Sequence, residues 1–468
     1  MSVCFCFFVL LVGFRTRLPG FRIRGRGEER EGLLSRILVM TTARVVLGVV
    51  AVAARAHAAD IPRQLTLQQA HETALRNHPR ISVADLRALA AQQITREARS
   101  GLFPAVSANV VAVGSAGDNT RLSAIGGLNN PSIFERNAEG ISISQLITDF
   151  GRTANLTRSA RLRAEAEANN AQATREQILL EVDAAYFAAL QAQSVKRVAQ
   201  QTVTTRQLFL DQVTALASNK IRSDLDVSFA RVNVEEAQLL LSKAQSDLDA
   251  AFAQISALLG ERNSTNYALA EEPLPPQVST NAAVFVEQAL QSRPDLERLR
   301  NEGEAARRFT KAERALRYPT ISAIGTAGVA PIRDPQLPET YAAAGVGLSL
   351  PLFTGGLYSA RQREAELRAR AADEALRDAE NNVIRDVRIA WLNAQNAFDR
   401  LGITGHLLEN AKRSFDLAQA RYVNRASSIV ELNQAQLNEI QAEIEYANTK
   451  YEYLLRRSAL SFQTGTLR

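Results

Sequence analysis

Three short stretches carry residue types that could do chemistry, and each lacks the partner that the chemistry needs. Asp149-Phe150-Gly151 has the order of a magnesium-binding triplet, yet no HRD-type catalytic loop or glycine-rich phosphate loop accompanies it. His71-Glu72 opens like a zinc-protease motif, but the position that needs the second histidine holds Leu75. Gly355-Gly356 reads as a strand-to-helix corner rather than a phosphate cradle, and Gly151 as a corner of the same kind. His71, His78 and His406 read as surface or packing residues, and Tyr186 and Trp391 as aromatics packed between helices. Cys4 and Cys6 are the only cysteines, so the body has no disulfide, thiol nucleophile or cysteine metal site. No catalytic residue, cofactor or metal is therefore expected, and the chain is read as not an enzyme.

Charge excludes a second class. Nine arginines against three glutamates in residues 1–58 account for the whole net charge of +6, leaving 46 basic and 46 acidic residues in the rest. A neutral body with interspersed signs offers no footprint for nucleic acid.

The elements that would position any site are set out by the chain's punctuation. Met40 begins a run with one Arg, an apolar stretch from Val45 to Ala54 and then Ala56-His57-Ala58, the order of a secretory signal too short to span a bilayer. Met40 is read as the true start and residues 1–58 as an extension plus signal; an upstream signal around Val9–Phe14 is the rival. The remainder is duplicated. Pro79 and Pro104 are 25 residues apart, as are Pro294 and Pro319, and Gly151 and Gly260 are 109 apart, as are Gly356 and Gly465. The expected repeats are 59–260 and 284–468, with 261–283 as linker.

Each repeat predicts a short helix pair broken at a proline, two strands, a long helix and a returning helix. The strands fall at about 104–113 and 139–148, then 319–329 and 342–352. The long helices fall at about 153–216 and 223–259, then 358–421 and 428–464. Residues 153–216 hold no Pro or Gly, and 64 residues at ~1.5 Å each make a rod of about 96 Å, too long for a compact domain. The returning helix covers only part of it, so the separate helix 80–101 must stack on its end to complete the layer. Val106, Ala108, Val110 and Ala112 share one face with Ser107 and Asn109 on the other, Ile141 and Ile143 alternate with Ser142 and Ser144, and Val346, Leu348 and Leu350 alternate with Gly347 and Ser349. That alternation suits a transmembrane β-barrel, whereas an ordinary sheet core is the competing reading. Four strands cannot close in lipid, because open edges would leave backbone groups unpaired. Several copies must contribute: two give eight strands and three give twelve, and physics alone does not choose.

This arrangement resembles the TolC-like outer-membrane efflux protein family over residues 64–467. The resemblance rests on LSLPLFTGG (348–356) with its weaker copy SQLITDFGR (144–152), on RYVNRASSIVELNQAQ (421–436) and on NKIRSDLDVSFA (219–230). It implies a mainly α fold with a membrane β-barrel contribution: duplicated α-α-β-β-α-α halves, four strands per protomer and long coiled-coil helices forming a periplasmic tunnel. It further implies a homotrimer in outer-membrane lipid, with a long periplasmic extension. That trimer would serve as the passive exit duct of a tripartite efflux or type I secretion system. A periplasmic adaptor (membrane fusion protein) and an inner-membrane pump or ABC exporter would open it.

The resemblance also assigns roles at the helical tip. Glu431 matches an acidic position lining the periplasmic entrance, where three copies would favour cations; a solvated surface Glu is the alternative. Tyr422 matches a tyrosine that holds the entrance shut, although packing would equally explain it. Ser427 stands where relatives carry a basic gate residue, and Gln434 where they carry a second acid, so this gate is expected to rest on packing and hydrogen bonds. The tips Asn219, Lys220, Ile221, Arg222 and Ser223, with Asn424, Arg425, Ala426, Ser427 and Ser428, are the expected adaptor contacts. A periplasmic coiled-coil scaffold or adaptor without a pore remains the alternative; it explains the helices and the export signal but not the paired strands.

Overall fold

Proline at the first helical turn and glycine just past the last one set the limits of the elements. The computed structural model describes residues 63–113, 136–262, 266–333, 338–424 and 426–467. The leader with its expected signal and both cysteines, and the tip residue Arg425, lie outside the described residues. The first half runs β1 (Arg63–Leu65), α1 (Leu67–Asn77), α2 (Pro79–Ser100), β2 (Ala105–Val113), β3 (Arg136–Thr148), α3 (Arg152–Ser218) and α4 (Asp224–Leu258). The second runs β4 (Tyr267–Leu269), α5 (Ala282–Ser292), α6 (Pro294–Ala315), β5 (Thr320–Ile332), β6 (Thr340–Ser349), α7 (Leu357–Val423) and α8 (Ile429–Gln463).

The lengths repeat as well as the order. α3 and α7 have 67 residues each, about 100 Å at ~1.5 Å per residue. α4 and α8 have 35 each, and α2 and α6 have 22 each. In the half nearer the strands the helices lie side by side as α2-α3-α6-α7, and in the other half as α4-α3-α8-α7. The strand order β2-β3-β5-β6 matches the first of these, strand for helix. A four-helix layer thus continues into a four-stranded antiparallel sheet. β2 and β6 are its open edges. No described helix is long and apolar enough to cross a membrane.

The register divides the sheet into two unlike faces. Val106, Val110, Ile141, Ile143, Val346 and Leu348 share one face, and all are exposed in the single chain. The other face carries Ser107, Asn109, Ser142 and Gly328, with Val111 and Ile324 as apolar exceptions, and Ser107 and Ser142 are hydrogen-bonded at 2.7 Å. An exposed apolar face opposite a small polar one is the pattern of a barrel wall between lipid and lumen. β5 reaches Ile332 rather than stopping near 329, and β3 begins at Arg136 rather than 139. Gly325, Ala327 and Gly328 leave β5 small on both faces, which hides its alternation; β3 opens on polar residues that read as loop.

The core lies at the waist, where the two helix layouts meet. Ile178, Val182, Tyr186 and Leu190 are buried at helical spacing on one face of α3, against Leu65, Ala70, Ala74, Leu248 and Phe252. β1 and β4 pair in parallel there, a ladder of three residues per strand that periodicity cannot detect. The Tyr186 hydroxyl donates to the carbonyls of Leu65 (3.0 Å) and Ala270 (2.7 Å). Burial, with Glu272 nearby, pushes its pKa up to about 12. The returning helices end on the proline kinks of both halves. A Cβ on Gly260 would come within 2.9 Å of the Asn77 carbonyl oxygen, and one on Gly465 within 3.0 Å of the Ser292 backbone; both residues have positive φ.

Candidate functional site at the helical tip

The far ends of the long helices form two matching turns. Asn219 and Asn424 close α3 and α7, each donating its side-chain amide to a carbonyl four residues back, Ala215 at 2.8 Å and Ala420 at 2.9 Å. The backbone amides of Ile221 and Ala426 then bond to Leu216 and Arg421, capping carbonyls that would otherwise be left unpaired. Lys220 adopts the left-handed conformation, φ +57°, where a glycine would be unstrained. Ser223 and Ser428 restart the chain as N-caps, accepting from Asp226 N (3.2 Å) and Glu431 N (3.3 Å).

Between the turns sits an aromatic core. Tyr422 is 4% exposed, with Ala418, Ile429, Leu432 and Ala435 around it. Its ring lies 5.6 Å from that of Phe209. The Arg222 guanidinium stacks over the same ring at 4.1 Å from the centroid and donates to the Tyr422 carbonyl at 2.9 Å. Arg222, one of the expected adaptor contacts, thereby ties the first tip to the second. Its equivalent in the other half is the uncharged Ser427. Stacking of this kind contributes about 0.5–2 kcal/mol, more as water is excluded.

Among the described residues, the buried hydroxyls Tyr422 Oη and Ser427 Oγ in this core find no hydrogen-bond partner. Burial, with help from Asp226, holds the Tyr422 pKa above its ordinary value, while Arg222 opposes the rise. A second clasp joins the tips a little further in. Asn233 donates to Asn433 at 2.9 Å, and buried Arg206 donates to the Asn233 carbonyl at 2.6 Å.

The remaining predicted residues are more open. Glu431 is 43% exposed, with Arg421 Nη1 at 3.4 Å from its carboxylate. An exposed pair of this kind is worth about 0–1 kcal/mol, so the carboxylate is free to meet other cations. Gln434 is exposed and donates to Asn438 at 2.9 Å. Asn219, Lys220, Ile221, Ser223, Asn424, Ala426 and Ser428 are exposed at the turns, while Ser427 is half-buried. Phe209, Asp226, Arg206 and Arg421 escaped sequence reasoning, because they act across elements rather than within a local pattern. At the opposite end Gly151 and Gly356 cap α3 and α7 with φ of +88° and +84°, and Gly355 precedes at +59°. Asp149 serves its own corner, accepting from Gly151 N (3.1 Å) and Thr153 N (2.7 Å). That is capping, with no metal-binding chemistry required.

Comparison with known proteins agrees with this architecture. The model of the outer membrane efflux protein family matches residues 70–261 and 285–466. The chain is 27% identical over 123 residues to the outer membrane protein TolC of Salmonella enteritidis, covering 26% of this chain and 25% of that one. It is 26% identical over 299 residues to the toluene efflux pump outer membrane protein TtgC of Pseudomonas putida, covering 62% and 60%. The matches thus span less than two thirds of these relatives. The fold is similar to the open state of the MtrE outer membrane channel of Neisseria gonorrhoeae. That match has a TM-score of 0.72 and 20% identity, covering 86% of this chain and 89% of that one.

Proposed function

The chain belongs to the outer membrane efflux protein family, and on that premise we propose that three copies close into one passive exit duct across the outer membrane. Twelve strands form the barrel wall and twelve helices the periplasmic tunnel. The observation that carries this reading is the shared order of sheet and helical layer, each ending in open edges on the same two sides. A wall segment that is continuous from sheet to helices yet unclosed at both margins is completed by further copies, not by anything within itself. The apolar sheet face meets lipid, and the small polar face lines the lumen.

Within residues 1–58 the signal that begins at Met40 directs export, and the repeats 59–260 and 284–468, joined by 261–283, form the mature duct. A tripartite efflux or type I secretion system supplies the partners: an inner-membrane pump or ABC exporter, and an adaptor that grips the exposed turn residues. The closed entrance is held by the Arg222–Tyr422 clasp, and Glu431 lines the opening, where three carboxylates around an axis favour cations.

Purified protein in planar lipid bilayers tests this. Wild type should form cation-preferring pores. Glu431→Gln should lower the cation preference read from the reversal potential, and Arg222→Ala should raise single-pore conductance several-fold. Unchanged selectivity would remove Glu431 from the entrance. Release of the native protein by osmotic shock alone, with no pores formed, would replace the duct by a periplasmic scaffold.

A further inference from the structure

A cavity of about 500 Å3 opens on the face of α3 that carries the waist ladder, between α4, α8 and β4. It lies about 65 Å from the strand end of α3 at ~1.5 Å per residue. Its floor is apolar and aromatic: Leu190, Leu248, Phe252, Tyr267 and Tyr451. Phe252 and Tyr267 meet edge to face at 5.8 Å. The Tyr451 hydroxyl is engaged by Ser194 at 3.2 Å and by Glu271 at 3.1 Å.

The lining carries two cations, Lys196 and Arg197, and two carboxylates, Asp249 and Glu271, and Lys450 beside Glu271 leaves one positive charge in excess. Glu271 pairs with Lys450 at 2.5 Å and also feels the Arg197 charge, while Asp249 accepts from Gln245 at 2.9 Å. Lys196 and Arg197 stand side by side, and among the described residues neither makes a direct ion pair. Gln193, Gln200 and Asn266 complete the mouth, each able to donate to and accept from a peptide group.

The duplication supplies an independent control. At the matching places of the second half stand Leu401 and Gly402 for the two cations, Gly405 for Gln200 and Leu454 for Asp249. The same helical hairpin therefore forms without these polar groups, which points to a task other than folding.

We propose that this waist cavity binds a short acidic segment of a periplasmic partner protein, its carboxylates on Lys196 and Arg197 and its backbone amides on the carboxamides. The aromatic floor takes an apolar side chain, and Asp249 holds off segments of uniform negative charge. Adjacent cations, amide-matching side chains and a half-open apolar floor are the chemistry of peptide capture. The site is separate from the tip and does not depend on its gating.

Fluorescence anisotropy on the full protein in detergent tests this, with a dye-labelled tripeptide of leucine, alanine and glutamate as probe. Saturable binding is expected, weakening with salt and falling at least tenfold in the Lys196→Ala/Arg197→Ala double variant. Lys412→Ala/Arg413→Ala, far from the cavity, should bind as wild type. Absence of saturable binding, equal binding by the double variant, or equal binding of the fully amidated tripeptide would each overturn the proposal. Preference for a soluble cell-wall muropeptide over the tripeptide would overturn the assignment to a protein partner.

Discussion

Tyr422 combines a fully packed ring with a hydroxyl that bonds to nothing among the described residues. An unpaired buried hydroxyl costs about 1–3 kcal/mol relative to a paired one, so the ring, not the oxygen, must justify the residue. Tyr422→Phe is accordingly expected to keep or slightly raise thermal stability, and Tyr422→Ala to lower it by about 3–5 kcal/mol through the cavity it leaves. Melting of the detergent-purified protein followed by circular dichroism checks both; a Phe variant as unstable as the Ala variant would show the hydroxyl to be paired in the assembly. At this scale the sequence was only partly legible. Position 422 could be found by motif, but the cation that covers it could not. A repeat offset carries a residue to its counterpart, whereas Arg222 reaches across from one turn to the other.

Helix and strand limits were more readable, because Pro and Gly act locally and leave a local record. Pro79 and Pro294 start α2 and α6, and Gly260 and Gly465 follow the ends of α4 and α8 at matching places of the repeat. Both glycines are required twice over, by a positive φ and by the opposing kink backbone. Gly260→Ala and Gly465→Ala should each cost more than the ~1 kcal/mol of backbone strain alone. The loss should appear as a lower melting temperature and as faster proteolysis at the waist. An alanine tolerated at either place would mean that the kink can shift to admit it. What the sequence did not reveal at this scale was the ladder of β1 with β4, whose residues lie some 200 positions apart. The limits of β5 were also hidden, since its glycines and alanines erase the difference between faces.

For the whole molecule the deciding features are the two margins. Leu225, Phe229, Val232 and Leu239 are exposed along α4 at one margin, and Ile403, Leu407 and Leu417 along α7 at the other. Burying such stripes on each other would contribute roughly 25 cal/mol per Å2 of apolar surface removed from water, and their heptad-like spacing fits side-by-side helices. If the proposed three-copy closure holds, Phe229→Glu combined with Leu239→Glu should shift the detergent-solubilised protein from trimer to monomer in native mass spectrometry. A trimer of unchanged abundance would mean that the seam lies elsewhere. The equality of the paired lengths, 67 with 67 and 35 with 35, has a consequence for heredity. Adding one turn to a single hairpin would stagger the rim by about 5 Å, leaving one pair of tips protruding past the other. A longer or shorter relative can therefore arise only through concerted edits in four helical arms, so drift in reach must proceed by matched steps in both copies of the ancestral half.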